Sequence, residues 1–207
     1  QTCALPIYSA LLSNTTGTGN TAVGHVTLDA NVTGARNTAV GLAALTTSTS
    51  SDNTGIGYAA LNLLTTGSNN TAVGTEAGEN LTTGSANAAV GYRALKTATT
   101  GDYNTAVGQY AGDALTTGSS NVAIGYNALS AEDAHGLNVA VGANALGNQN
   151  AGANAYNVAV GHDAGSNVTT GVSNVLIGGL AGDANTTGSN NVAMGTSALG
   201  TNTTGNH

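Results

Sequence analysis

A five-residue segment with alternating side-chain character recurs eleven times along the chain. It reads Asn, then Thr, Val or Ala, then a small residue (Leu in one copy), then Val, Ile or Met, and finally Gly. The copies begin at Asn20, Asn37, Asn53, Asn70, Asn87, Asn104, Asn121, Asn138, Asn157, Asn174 and Asn191. Because successive side chains of a strand point to opposite faces, each copy predicts a short β-strand, and its Gly predicts a turn.

The spacing of these segments predicts a stack of similar turns of chain. Consecutive copies begin 17 residues apart, except for one spacing of 16 residues and one of 19 residues. A unit repeated at so constant a period buries its apolar face only against its neighbours. We therefore expect an all-β protein, a parallel β-solenoid built from rungs of about 17 residues. Rung positions are counted here from the opening Asn.

Within a rung, we expect two strands and two turns. Many rungs carry Thr-Thr-Gly at the thirteenth to fifteenth positions, which predicts the second turn. We expect the second and fourth positions, such as Val122 and Ile124, to point into a common core. The third position, such as Ala123, should then form a stripe of small residues on which identical chains pack. The stacked opening asparagines should form a ladder of side-chain amide hydrogen bonds.

The ninth and twelfth rung positions show a compensating pattern. Where the ninth residue is Gly rather than Leu, the twelfth is usually apolar, as in the pairs Gly78 with Leu81, Gly112 with Leu115 and Gly165 with Val168. The exception is Gly182, because Asn185 occupies the twelfth position of that rung. This pattern indicates that both positions contribute to one core.

Composition and charge exclude several classes of partner. Three basic residues against ten acidic ones give a net charge of -7, so the chain offers no basic stripe for nucleic acid. No apolar run approaches the roughly 20 residues that cross a bilayer, so we expect no membrane insertion by this segment. The chain contains no Phe or Trp, and its rungs carry few large apolar side chains. Such thin rungs predict association, and we expect a side-by-side homotrimer.

The first seven residues break the repeat. Tyr8 already matches the Tyr-x-Ala-Leu of later rungs, but residues 1–7 read Gln-Thr-Cys-Ala-Leu-Pro-Ile and contain the only Cys and the only Pro of the chain. They look like a translated sequencing adapter, so we expect them to be non-native; a natural irregular cap is the alternative. Residues 8–207 should then form one domain of eleven full rungs and a partial first rung.

The repeats resemble those of a known family. Asn-Val-Ala-Ile-Gly at 121–125, Asn-Val-Ala-Val-Gly at 138–142 and 157–161, and Asn-Val-Ala-Met-Gly at 191–195 are similar to the head repeats of trimeric autotransporter adhesins, the YadA-like head. The resemblance covers 8–207 and implies a left-handed β-roll and a trimer that binds host cells, matrix or glycans at the cell surface. The longer period and the Thr-Thr-Gly turns are closer to repeats of phage tail fibres and bacterial surface proteins that often precede a self-cleaving chaperone domain.

No catalytic, cofactor-binding or metal site is predicted. The four histidines, His25, His135, His162 and His207, are scattered over different rungs without metal-ligand spacing. A β-helical glycan-cleaving enzyme would need carboxylates on neighbouring rungs. The nearest approaches are two pairs that each lie within one loop, Glu76 with Glu79 and Glu132 with Asp133. We therefore expect no enzyme.

Function should reside on the outer surface. We expect a structural and adhesive head or shaft of an extracellular trimeric appendage, on a bacterial cell or as a phage tail-fibre shaft. An ice-binding solenoid is the alternative from another class, suggested by stacked threonines, although a flat ice-matching array requires Thr-x-Thr. Two features are candidates for recognition: a tyrosine stripe at the sixth position (Tyr58, Tyr92 and Tyr126) and the 19-residue rung at 138–156.

Overall fold

The structure, a computed structural model, describes residues 8–132 and 134–206 and contains one three-residue strand in each full rung. The described ranges contain no helix, and thus none long and apolar enough to cross a membrane. The strands are β1 (Thr21–Val23), β2 (Thr38–Val40), β3 (Thr54–Ile56), β4 (Thr71–Val73), β5 (Ala88–Val90), β6 (Thr105–Val107), β7 (Val122–Ile124), β8 (Val139–Val141), β9 (Val158–Val160), β10 (Val175–Ile177) and β11 (Val192–Met194).

All eleven strands form a single parallel sheet in chain order. Each strand pairs with the next at equivalent rung positions, as when Val122 pairs with Val139 and Ile124 with Val141. Ten turns of the chain therefore connect eleven stacked strands, and the predicted parallel β-solenoid with its 17-residue spacing is confirmed. The left-handed coil and the homotrimer stay predictions.

The predicted orientation of the strands is wrong. The third position points into the solenoid, where Ala106 is 0% exposed, while the fourth-position residues Val107 and Ile124 are 38% and 37% exposed on the outer face. The interior is narrow because leucines from the opposite wall fill it. A Cβ on Gly55, at the third position, would lie 3.2 Å from Cγ of Leu45, at the ninth position of the preceding rung. The small residues therefore fit the interior and do not form an external packing stripe.

The second wall of each rung is not the predicted second strand. Its residues alternate between ordinary and left-handed backbone: Arg93 and Leu95, at the seventh and ninth positions, have φ of 58° and 51°. The seventh N–H donates to the preceding rung, as from Tyr110 to the carbonyl of Tyr92 at 3.0 Å. The ninth N–H donates to the following rung, as from Leu95 to the carbonyl of Ala111 at 3.0 Å. This wall is thus hydrogen-bonded in both directions without extended backbone.

The compensation between the ninth and twelfth positions is confirmed, and its exception has a physical reason. Leu81, Leu115 and Val168 are all buried. In the rung with Gly182, the third position is Leu176 instead of Ala, and a Cβ on Gly182 would lie 2.6 Å from Cδ2 of Leu176. A leucine from the sheet therefore fills the space that the opposite wall leaves open.

Two polar columns hold the rungs in register. In all ten steps, the Oδ1 of one opening Asn accepts the backbone N–H of the next, as from Asn121 to Asn104 at 3.0 Å. Direct amide-to-amide bonds occur only at some steps, so the predicted ladder is mainly a ladder from side chain to backbone. The first Thr of Thr-Thr-Gly forms the second column, as when Thr82 Oγ1 donates to the carbonyl of Thr99 at 3.0 Å.

The two irregular parts of the chain lie at the start and in the 19-residue rung. Leu11 donates its N–H to the carbonyl of Thr27 at 3.0 Å, so a partial rung stacks below the first full one. Residues 1–7 lie outside the described residues, and their non-native origin stays a prediction. In the long rung, the extra residues form an exposed bend around Gly152, where an added Cβ would meet no atom within 4 Å.

Candidate binding surface

One outer surface of the solenoid carries most of the aromatic and charged side chains. It consists of the sixth, seventh and tenth rung positions, and we call it the side surface. Ring contacts and ion pairs join these three columns: Tyr110 at the seventh position contacts Tyr92 at the sixth, and Glu76 at the seventh contacts Lys96 at the tenth. The columns therefore lie side by side, and groups on neighbouring rungs act together.

The predicted tyrosine stripe is only partly present. Tyr92 and Tyr126 lie two rungs apart, and Tyr110 joins them, with ring centroids 5.4 Å from Tyr92 and 6.4 Å from Tyr126. Arg93 lies over the ring of Tyr92 at 5.3 Å. Tyr58 makes no ring contact among the described residues. The sequence pattern did not indicate Tyr110, because it stands at the seventh position and not at the sixth. The available signal was that its rung lies between the rungs of two sixth-position tyrosines.

Next to the tyrosines, four charged side chains from two adjacent rungs form a cluster. Oε2 of Glu76 lies 2.7 Å from Nε of Arg93 and 2.6 Å from Nζ of Lys96, and Nζ of Lys96 lies 3.3 Å from Oε2 of Glu79. The hydrogen bond from Lys96, and then that from Arg93, lower the pKa of Glu76. The pair Glu76 and Glu79 is therefore engaged in a structural ion cluster.

The cluster should make stability depend on pH in the acid range. The pKa of Glu76 is lowered in the folded state from its ordinary value of 4.5, so its contribution is complete above pH 4.5 and is lost as pH falls through the folded pKa. We expect Glu76→Gln to lower the melting temperature at pH 7 and to flatten its fall below pH 4.5. Thermal unfolding followed by circular dichroism from pH 7 to pH 2 measures both effects.

A neighbouring carboxyl group provides the control of opposite sign. Burial raises the pKa of Asp113 from its ordinary value of 3.8, and its Oδ1 is buried without a hydrogen-bond partner among the described residues. Its charge therefore opposes folding at neutral pH, and this cost disappears as the group is protonated. Asp113→Asn should raise the melting temperature at pH 7. Equal losses in both variants would contradict the assignment.

Beyond the tyrosines, the side surface opens into a cleft with a volume of about 320 Å³. The seventh position contributes Asn127, Asn144 and Asp163. The tenth and eleventh positions contribute Ser130, Gly147, Asn148, Ser166 and Asn167. The space exists because the tenth-position residues of the cleft are Ser or Gly. The three preceding rungs carry the larger residues Glu79, Lys96 and Asp113 at this position. The cleft is lined almost entirely by neutral polar groups.

Two of the histidines singled out in the sequence each contact one carboxylate close to them in the chain: His135 contacts Glu132 and His162 contacts Asp163. No group of three or more His, Cys, Asp or Glu that could hold a metal ion occurs in the described parts of the chain. Glu132 is 0% exposed and its Oε1 accepts the N–H of His135 at 3.2 Å, so it faces the interior. His162 contacts only its neighbour Asp163 among these groups, at 3.0 Å from Nδ1 to Oδ2. Asp133 and His207 lie outside the described residues.

The outer face of the sheet is a second candidate surface. Its fourth-position column is apolar in every rung and comprises Val23, Val40, Ile56, Val73, Val90, Val107, Ile124, Val141, Val160, Ile177 and Met194. Several of these residues are more than one-third exposed, and none of the eleven strands contains a charged residue. An apolar column of this length is unusual on a protein surface that faces water alone.

The fold and these surfaces define a β-solenoid repeat protein. Comparison with known proteins adds no relative: no family model, no curated protein and no solved structure matches the chain. The resemblance to adhesin heads therefore depends on the repeat motif, and the two surfaces carry the remaining information about function.

Proposed function

We propose that this chain is a structural and adhesive segment of an extracellular trimeric appendage, without enzymatic activity. The observation that carries the proposal is the apolar fourth-position column on the outer face of the sheet. The face is uncharged and regular over eleven strands, and identical chains placed in parallel would present the same residue types to one another. The number of chains in the assembly, three, is proposed from the resemblance of the repeats to adhesin heads.

The size of the face supports association. With strands about 4.8 Å apart, eleven strands extend over roughly 50 Å, and a strand with one flanking residue on each side is about 16 Å wide. The face therefore covers roughly 800 Å², which is the area that each partner contributes to a stable protein interface. Side-by-side packing would remove the valine and isoleucine side chains from water and would present several copies of the side surface for polyvalent binding.

A charge placed in the centre of this face tests the interface. We expect Ile124→Asp to convert the trimer into a monomer, because burying an unpaired carboxylate between apolar faces costs more than the contact supplies. Sedimentation velocity or light scattering should give three times the 19.9 kDa of one chain for the wild type and a single-chain mass for the variant. The side chain of Ile124 points outward, so circular dichroism should show that the fold is retained.

Thr100→Asp is the matched control for Ile124→Asp. Thr100 is exposed in a Thr-Thr-Gly turn outside the sheet, so the same added charge should leave the trimer intact. A wild-type chain that is folded and monomeric at micromolar concentration would overturn the trimer. The adhesive role is tested separately by the adhesion of the wild-type protein, coated on beads, to mammalian cells and to matrix proteins.

Ice binding is a second candidate, because the structure places one column of threonines on the outer face. Thr21, Thr38, Thr54, Thr71 and Thr105 occupy the second position, and the same face carries Val or Ile at the fourth. The array therefore pairs Thr with Val or Ile in these rungs, and Val with Val, Ile or Met in the rungs from β7 onward, unlike Thr-x-Thr. Thermal hysteresis of the purified chain would favour ice binding over the adhesive proposal.

A phage tail-fibre shaft would use the same trimeric face. The two versions of the appendage differ in what the full gene encodes. A C-terminal membrane-anchor barrel would indicate a bacterial adhesin, and a self-cleaving chaperone domain would indicate a fibre. The sequence of the full gene distinguishes the two versions.

A further inference from the structure

We propose that the cleft on the side surface binds a short neutral oligosaccharide whose chain runs along the solenoid axis. This inference deepens the adhesive function proposed above by naming a ligand class and a site. It depends on the cleft of about 320 Å³ and on Tyr126, the chain neighbour of the lining residue Asn127. The volume falls at the lower end of the range for small-molecule sites, which suits one to three sugar rings.

The groups that line the cleft match the chemistry of sugar hydroxyls. Amide and hydroxyl side chains both donate and accept hydrogen bonds, and a single carboxylate accepts them. The side chains of Asn127 and Ser166 form no hydrogen bond within the described residues, so their capacity is available to a ligand. Asp163 is oriented by Asn144, whose Nδ2 donates to Oδ1 of Asp163 at 2.9 Å. The polar groups are thus partly preorganised and partly unoccupied.

A half-exposed tyrosine precedes the first residue of this polar surface. Tyr126 immediately precedes Asn127 in the same rung, and its side chain is held at the junction of the sixth and seventh columns by Tyr110, at 6.4 Å between ring centroids. It is 49% exposed. A half-exposed tyrosine offers a flat apolar face for the C–H groups of a pyranose ring, at low conformational cost. Polar groups beside an aromatic platform therefore favour a sugar.

Charge and geometry limit the class of sugar. The net charge of -7 repels sialylated and sulfated glycans, so the ligand should be neutral. The cleft is formed by three consecutive rungs, and two rung spacings of about 4.8 Å give it a length of about 10 Å. A divalent cation is a poorer candidate, since Ca²⁺ requires six to eight oxygen ligands and the cleft has one carboxylate, which already contacts His162 and Asn144.

A glycan array tests the inference on the whole chain. The probes are immobilised di- to tetrasaccharides of glucose, galactose, mannose and N-acetylglucosamine, together with sialylated and sulfated counterparts. We expect at least one neutral probe to bind and the anionic ones to bind more weakly. Tyr126→Ala and the double variant Asn127→Ala with Ser166→Ala should each lower the affinity of that probe by about tenfold or more, measured by calorimetry.

One rung of the same protein provides matched controls. Tyr58 occupies the same sixth position as Tyr126 and is 50% exposed, and Asn62 lies at the tenth position of the same rung. That rung opens at Asn53, four rungs before the first rung of the cleft. Tyr58→Ala and Asn62→Ala should leave the affinity within about twofold of the wild type. Failure of every neutral probe to bind, or equal losses in the control variants, would overturn the site.

The adhesion assay separates this inference from the function on which it rests. If the beads adhere to cells or matrix while the array is negative, the cleft proposal fails and the adhesive proposal stands. If the beads do not adhere but a neutral sugar binds in the cleft, the adhesive proposal fails and the site stands. Adhesion that is weakened by Tyr126→Ala, and not by Tyr58→Ala, would connect the two.

Discussion

Gly108→Ala should destabilise the stack at the sixth strand by about 4 kcal/mol or more. Gly108 follows the strand of its rung with a φ of 134°, and a Cβ there would lie 2.5 Å from the carbonyl oxygen and 2.7 Å from the carbonyl carbon of Gly125 in the next rung. Both atoms belong to the backbone of an identical turn, which is itself stacked on the turn above. The added methyl group cannot be accommodated by a side-chain movement, so the two rungs must separate.

Urea unfolding followed by circular dichroism measures the loss, and hydrogen exchange of the strands on either side locates it. The last rung provides the control, because Gly195 also has a positive φ, of 118°, but no atom within 4 Å of an added Cβ. Gly195→Ala should therefore show only the backbone strain, about 1–3 kcal/mol. If both variants lose the same free energy of unfolding, contact with the next turn is not the reason that this position requires glycine.

The sequence contained the repeat, the parallel stacking and the role of the recurring Gly and Asn, because each of these depends on period and residue type. It could not decide which face of the strand is internal. Val122, Ala123 and Ile124 place apolar residues on both faces, and period-two alternation gives no preference between them. The answer depends on the width of the interior, which the leucines of the opposite wall determine.

The second wall was hidden for a different reason. Leu95 and Arg93 adopt left-handed backbone against their own conformational preference, and the stacked hydrogen bonds on both sides hold them there. The available signal was Gly112 and its equivalents, because glycine replaces leucine at the ninth position where φ is positive. The candidate site was hidden for a related reason. The contact of Tyr110 with Tyr126 requires side chains at the sixth and seventh positions to lie on the same surface, whereas consecutive side chains of a strand point to opposite faces.

Asn104→Ala should also destabilise the stack strongly, with an expected loss of roughly 2–6 kcal/mol. Asn104 is 1% exposed, and its Oδ1 accepts the N–H of Asn121 at 3.0 Å while its Nδ2 donates to the carbonyl of Gly118 at 2.8 Å. Alanine would leave both backbone groups buried and unpaired. The preceding residue, Tyr103, has a φ of 58°, and this bend directs the N–H of the opening Asn to a side chain of the preceding rung.

The same residue type at the start of the column shows whether burial causes the loss. Asn20 makes the equivalent bonds, accepting the N–H of Asn37 at 2.9 Å and donating to the carbonyl of Gly34 at 2.7 Å, but it is only half-buried. Water can replace its amide, so Asn20→Ala should cost about 1 kcal/mol. Urea unfolding of both variants gives the comparison. Equal losses would mean that the column acts through hydrogen bonding at every rung irrespective of solvent, and that water does not substitute for an asparagine in this stack.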